Sequence, residues 1–116
     1  MKAGDTVLIR FPHADLGAGK LRPALVVATV PGRHMDLLLA LITSRLYQAV
    51  PDFDEIIAED EADFRSSGLK TRSVIRLTRL ATVDSAIINA RLGKISSERL
   101  DKIRARLATW LLESPS

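Results

Sequence analysis

The chain has 116 residues, is 47% hydrophobic and carries a formal net charge of +3, enough apolar content for a single domain, residues 1–116, to close a core. It contains no cysteine, which excludes a disulfide framework and a thiolate metal site, and no other cofactor signature is present. Lys2, Asp5 and Arg10 interrupt any apolar start, and the longest apolar run, residues 37–42, is too short to cross a bilayer, so the reading is a soluble, cytoplasmic protein.

Residues 6–11 alternate, with Val7, Ile9 and Phe11 facing one way and Thr6, Leu8 and Arg10 the other, which predicts a strand. Residues 12–23 are a loop punctuated by Pro, Asp and Gly. Residues 24–30 and 35–42 are apolar on both faces and are joined by the turn signal Pro31-Gly32-Arg33-His34. Two such strands need cover on both sides, from the rest of a barrel and from a helix or a second subunit. That excess of apolar face predicts a homodimer. A shorter strand is expected over residues 53–57.

Residues 52–63 hold seven of the fourteen acidic side chains and no Lys or Arg. This run reads as a solvated edge that discourages strand pairing. Without it, seventeen basic residues face seven acidic ones, a balance of +10 that favours a polyanionic partner. Only five residues are aromatic, so a nucleic acid is expected to be gripped through phosphate more than through stacked bases.

Residues 73–82 alternate again, Ile75 and Leu77 against Arg76 and Thr78, and a further strand is expected near residues 90–95. The helix is residues 97–112, capped by Ser96 or Ser97. Leu100, Ile103, Leu107, Trp110 and Leu111 form its apolar stripe, with Arg99, Lys102 and Arg106 off it. The fold class is therefore mainly β with a C-terminal helix, the sheet strongly bent or closed into a barrel.

The chemistry gathers at strand ends. Gly19-Lys20-Leu21-Arg22-Pro23 delivers Lys20 and Arg22 to an apolar strand, and Pro23 pushes Arg22 toward extended geometry. A guanidinium held there suits planar recognition of phosphate or carboxylate. Thr43, Ser44 and Arg45 end the next apolar strand; the two hydroxyls either bond the turn backbone or donate to a phosphate beside Arg22. His13 and Asp15 lie in the loop leading to Arg22, and His13 ionises near neutral pH. Neither histidine has a ligand spacing, so no metal site is expected.

In order, Gly4-Asp5, Phe11-Pro12, Lys20-Leu21-Arg22-Pro23-Ala24-Leu25-Val26-Val27, Leu41-Ile42-Thr43-Ser44, Gly68-Leu69-Lys70, Ser73-Val74-Ile75-Arg76, Thr82-Val83-Asp84 and Leu92-Gly93-Lys94-Ile95 span the whole chain. The set resembles the MazF/PemK family of toxin endoribonucleases. The resemblance implies a small SH3-like β-barrel of the CcdB/MazF type, a homodimer, and metal-independent cleavage of single-stranded RNA, the mRNA above all, with inhibition by an antitoxin whose tail is acidic and disordered. It places the family's arginines on Arg22 and Arg76 and its strand-end hydroxyls on Thr43 and Ser44; Lys20, Ser44, Arg45 and Thr78 are the expected RNA contacts, Arg45 standing where the family often has Gln or Gly and adding positive charge. Some members carry an aspartate, a candidate base, where this chain has Thr78; His13 or Asp15 are the substitutes. Two other readings stay open: an RNA-binding protein whose active site has decayed at Thr78, and a related barrel that poisons a protein such as a topoisomerase.

Overall fold

The computed structural model describes residues 1–10 and 20–115. Six strands, β1 (Asp5–Ile9), β2 (Arg22–Thr29), β3 (Asp36–Thr43), β4 (Glu55–Ile57), β5 (Ser73–Asp84) and β6 (Ala90–Lys94), precede one helix, α1 (Ser97–Glu113). They form one antiparallel sheet in the order β4-β5-β3-β2-β1-β6. Each predicted strand is present, and the mainly-β class with its closing helix holds. Phe11, predicted to extend the first strand, lies outside the described residues, as do His13 and Asp15.

Because neighbours along a strand point to opposite faces, the doubly apolar strands β2 and β3 feed two cores. Leu25, Val27, Ala40 and Ile42 join Ile57, Ile75, Leu77 and Ile95 on the side where Ile103 and Leu107 of α1 pack. Ala24, Val26, Leu37, Leu39 and Leu41 join Val7, Ile9 and Val83 on the other. Both faces are buried within the one chain. The apolar faces of β2 and β3 therefore do not themselves call for a second subunit.

Helix α1 starts where Ser96 Oγ accepts the Arg99 N–H at 3.1 Å, and Glu98 in its first turn suits the positive end of the dipole. Its stripe is shorter than expected. Trp110 and Leu111 are 46% and 65% exposed.

Three ladder irregularities interrupt the sheet, one of them at Thr6 and Val7 where β1 meets β6. In β2 the register shifts between Val26 and Ala28, and the Val27 carbonyl accepts Arg104 Nε–H from α1 at 2.9 Å. In β5 the pairing passes from Arg76 opposite Leu41 to Leu80 opposite Ala40, so residues 77–79 drop out and the strand bends. The segment after β4 then crosses to β6, where Lys94 N–H donates to Ser66 O at 2.8 Å. The crossing is so close that a Cβ on Gly93 would lie 2.0 Å from Ser66 O; no larger residue fits there.

The acidic run is a solvated edge only in part: Asp52, Glu59, Asp60 and Glu61 are exposed, but Asp54, Glu55 and Asp63 are buried. Glu55 and Asp63 are 5% and 7% exposed, and Arg99, expected off the stripe and in solvent, is 8% exposed. Arg99 Nε and Nη2 clasp Asp63 at 2.8 and 2.9 Å, and its Nη groups reach Glu55 at 2.8 Å and Glu61 at 2.6 Å. Arg106 adds a bond to Glu55 at 3.1 Å. Three of the carboxylates, Glu55, Glu61 and Asp63, are the ties between β4, its following segment and α1. They consume Arg99 and Arg106 as well, so the balance of +10 overstates the free basic surface.

Candidate nucleic-acid interface

Register brings the predicted residues of β2, β3 and β5 to one end of one face. Arg22 pairs with Ile9, and Ala24 pairs with Leu41. Continuing that register by two residues sets Arg22 opposite Thr43, while Arg76 on the far side of β3 pairs with Leu41. Residues two apart share a face, so Arg22, Thr43 and Arg76 lie on the side away from α1. Neighbouring strands are about 5 Å apart, within reach of two arginines and a hydroxyl converging on one anion. Arg22 is not a loop residue: it opens β2 and is half-buried.

Of the two roles left open for the strand-end hydroxyl, the structure has the first, bonding of the turn backbone. Thr43 Oγ1 accepts the Arg45 N–H at 3.1 Å, closing the turn after β3. An oxygen used as acceptor keeps its own O–H to donate. Ser44, Arg45 and Lys20 are exposed at the same strand ends.

Arg76 is half-buried, and its Nη1 donates to Gln48 Oε1 at 3.2 Å. Its Nε is buried without a hydrogen-bond partner among the described residues. Gln48 belongs to a single turn of 3-10 helix, Leu46–Gln48, that packs on β5. No sequence pattern marked it, since a lone glutamine in a loop carries no signal.

Thr78 sits in the unpaired stretch of β5, and its N–H donates to Asp54 Oδ1 at 3.2 Å. Its hydroxyl lies 3.4 Å from the same oxygen. Asp54 Oδ2 meanwhile accepts the Val50 N–H at 2.9 Å. A carboxylate thus stands beside the threonine, delivered from the turn before β4. Asp54 was counted only as part of the acidic run, where spacing could not reveal a contact across the sheet.

The two named arginines and a strand-end hydroxyl sit on a curled antiparallel sheet backed by one helix, in a small basic β-protein. The profile of the family described as PemK-like, MazF-like toxin of type II toxin-antitoxin system matches residues 2–111, and the chain belongs to that family. Among solved structures, an endoribonuclease in complex with its cognate antitoxin from a mycobacterial species superposes with a TM-score of 0.58 at 20% identity. The alignment covers 100% of this chain and 97% of that one, which shows a shared fold. No curated protein matches the sequence.

Proposed function

We propose that this toxin is a metal-independent endoribonuclease acting on single-stranded RNA. The observation that carries the reading is that Arg22, Thr43 and Arg76 share one end of one sheet face, with an Arg76 Nε–H that finds no acceptor among the described residues. In the reaction the ribose 2′-oxygen attacks the adjacent phosphorus and gives its proton to a base. The bond from phosphorus to the 5′-oxygen breaks, and that oxygen takes up a proton. The products are a 2′,3′-cyclic phosphate and a 5′-OH. Arg22 and the Thr43 hydroxyl donate to the phosphorane oxygens, and Arg76 serves the leaving oxygen. His13 and Asp15 are the proposed bases. Incubating the purified protein with a long single-stranded RNA in EDTA, followed by end-group analysis, tests this directly; intact RNA or 3′-OH ends overturn it.

A cognate antitoxin belongs to the same proposal. The fold neighbour is bound to its own antitoxin, and a face that receives RNA phosphate also suits an acidic disordered tail. We place both proteins in the cytoplasm, where mRNA is available. Among the described residues no helix is long and apolar enough to cross a membrane.

A second reading, an RNA-binding regulator without activity, draws on Thr78. Its neighbour Asp54 is engaged by Val50 as well as by Thr78, which leaves that carboxylate poorly placed to act as a base.

A further inference from the structure

Among the described residues Arg76 is treated differently from four other arginines, while Arg104, like it, meets a neutral oxygen, the Val27 carbonyl, at 2.9 Å. Arg72, Arg91, Arg99 and Arg106 each meet a carboxylate, at 3.3, 3.2, 2.8 and 3.1 Å. Arg76, half-buried in the sheet face, meets only the neutral amide oxygen of Gln48 at 3.2 Å among the described residues. A carboxylate is close at hand, two residues further along β5, but Val50 and Thr78 hold Asp54 there. The guanidinium is therefore oriented by a neutral partner, and no carboxylate among the described residues pairs with it.

We infer that Gln48 is a positioning residue that holds Arg76 for a phosphodiester without neutralising it. The inference rests on the endoribonuclease reading. A neutral amide oxygen orients an N–H donor by geometry while subtracting little of the positive charge. A carboxylate in the same place would form a charge-assisted pair and compete with the phosphate. The tie is also continuous with Thr43. Thr43 Oγ1 accepts from Arg45 N–H at 3.1 Å, Arg45 O accepts from Gln48 N–H at 3.0 Å, and Gln48 Oε1 accepts from Arg76. One short turn thus sets the spacing between a hydroxyl donor and a guanidinium donor, the two groups that must meet the same phosphate. Buried donors without acceptors are uncommon in folded proteins, and the orphaned Arg76 Nε–H is a bond that an incoming phosphate oxygen can supply after a small movement of the side chain.

The substitution Gln48→Glu separates this role from a structural one, because it keeps the shape and strengthens the tie. The expected result is a thermal midpoint at or above that of the wild type, with cleavage of single-stranded RNA in EDTA slowed about tenfold or more, the scale of losing one preorganised donor. Single-stranded DNA of the same sequence lacks the attacking 2′-OH and reads binding alone. On it the slope of log affinity against log salt becomes shallower by about 0.7, one phosphate contact. Gln48→Ala keeps the charge and frees the guanidinium, so kcat falls while KM changes little. A Gln48→Glu protein that cleaves RNA and binds DNA as the wild type does overturns the inference. Wild-type protein that leaves RNA uncut overturns the endoribonuclease reading instead, and the DNA slopes of wild type and Gln48→Glu still judge the positioning role.

Discussion

The Asp54 carboxylate accepts the backbone N–H of Thr78 at 3.2 Å and that of Val50 at 2.9 Å, pinning the turn before β4 to the bend of β5. Thr78 lies in the part of β5 that no longer pairs with β3, so Asp54 stands in for the missing ladder partner. Thr78→Asp, the change that first suggests itself for adding a base, sets a second carboxylate against the first. The expected outcome is a lower unfolding midpoint, partly recovered in high salt, and no gain in cleavage. Asp54→Ala strips the acceptor from two backbone donors and is expected to cost about 1–3 kcal/mol in urea unfolding. A neutral result for Asp54→Ala removes it as the anchor of the bend.

The second prediction concerns acid. The bidentate bond from Arg99, with the Ser96 N–H adding to it against the cost of burial, holds the Asp63 carboxyl down from 3.8 to about 2. Burial pulls the Arg99 guanidinium down, but its bonds to Asp63 and Glu61 outweigh this and raise it. A carboxyl whose folded pKa is depressed contributes stability in full above its unfolded value, and that stability is lost as pH falls through the folded one. The Asp63 contribution, on the order of 2 kcal/mol, should therefore disappear between about pH 4 and pH 2. Arg99→Ala leaves buried carboxylates uncompensated and is expected to cost about 3–5 kcal/mol at pH 7. It should also remove the acid step. Urea unfolding of both proteins from pH 7 to pH 2 measures the two effects together, and an unchanged acid step in Arg99→Ala would refute the assignment to Asp63.

Local pattern was enough for the strands and the helix, since alternation in β1 and β5, the doubly apolar runs of β2 and β3 and the cap at Ser96 are written in neighbouring residues. The pairing of distant charges was not. Arg99 and Asp63 are 36 positions apart, and a run of carboxylates reads as surface until the helix that carries its partners is laid across it. The same limit hid Gln48 and Asp54. Each meets β5 through a turn whose path depends on how sharply that strand bends. Arg22 and Thr43 could be singled out because they sit at the ends of apolar runs, whereas Arg76, inside β5, was singled out only by the family resemblance, since pairing register is not written in neighbouring residues.

Loss of the anion donors should separate activity from folding. Arg22→Ala is expected to slow RNA cleavage by about 10²–10³ while leaving the thermal midpoint within a few degrees, since Arg22 opens β2 at the margin of the core. Thr43→Ala removes both the donor and the acceptor of the Arg45 N–H, so it should lose activity and some stability. Thr43→Ser should restore most of both. His13→Ala and Asp15→Ala then assign the base, the one that flattens the ascending limb of the pH–rate profile being responsible. Wild-type cleavage by Arg22→Ala in metal-free buffer ends the catalytic case for this face.

The last prediction is a homodimer, now argued from a different surface than the apolar strands suggested. The faces of β2 and β3 are covered within one chain, but the end of α1 is not. Trp110, stacked edge-on against Phe53 with ring centroids 5.7 Å apart, continues into Leu111 and into Leu112, which is 86% exposed. Together with Leu77 and Leu80, the Phe53 and Trp110 rings line an open cleft of about 530 Å³. An apolar helix end beside such a cleft is costly to leave in water, and a copy related by a two-fold axis can bury the patch against itself. Light scattering is expected to read twice the chain mass of 12.7 kDa. Leu112→Asp, at a position that packs on nothing in the core, should give a monomer with an unchanged circular dichroism spectrum. A dimer that survives Leu111→Asp and Leu112→Asp together is held by some other surface, and a wild-type monomer at micromolar concentration ends the prediction outright.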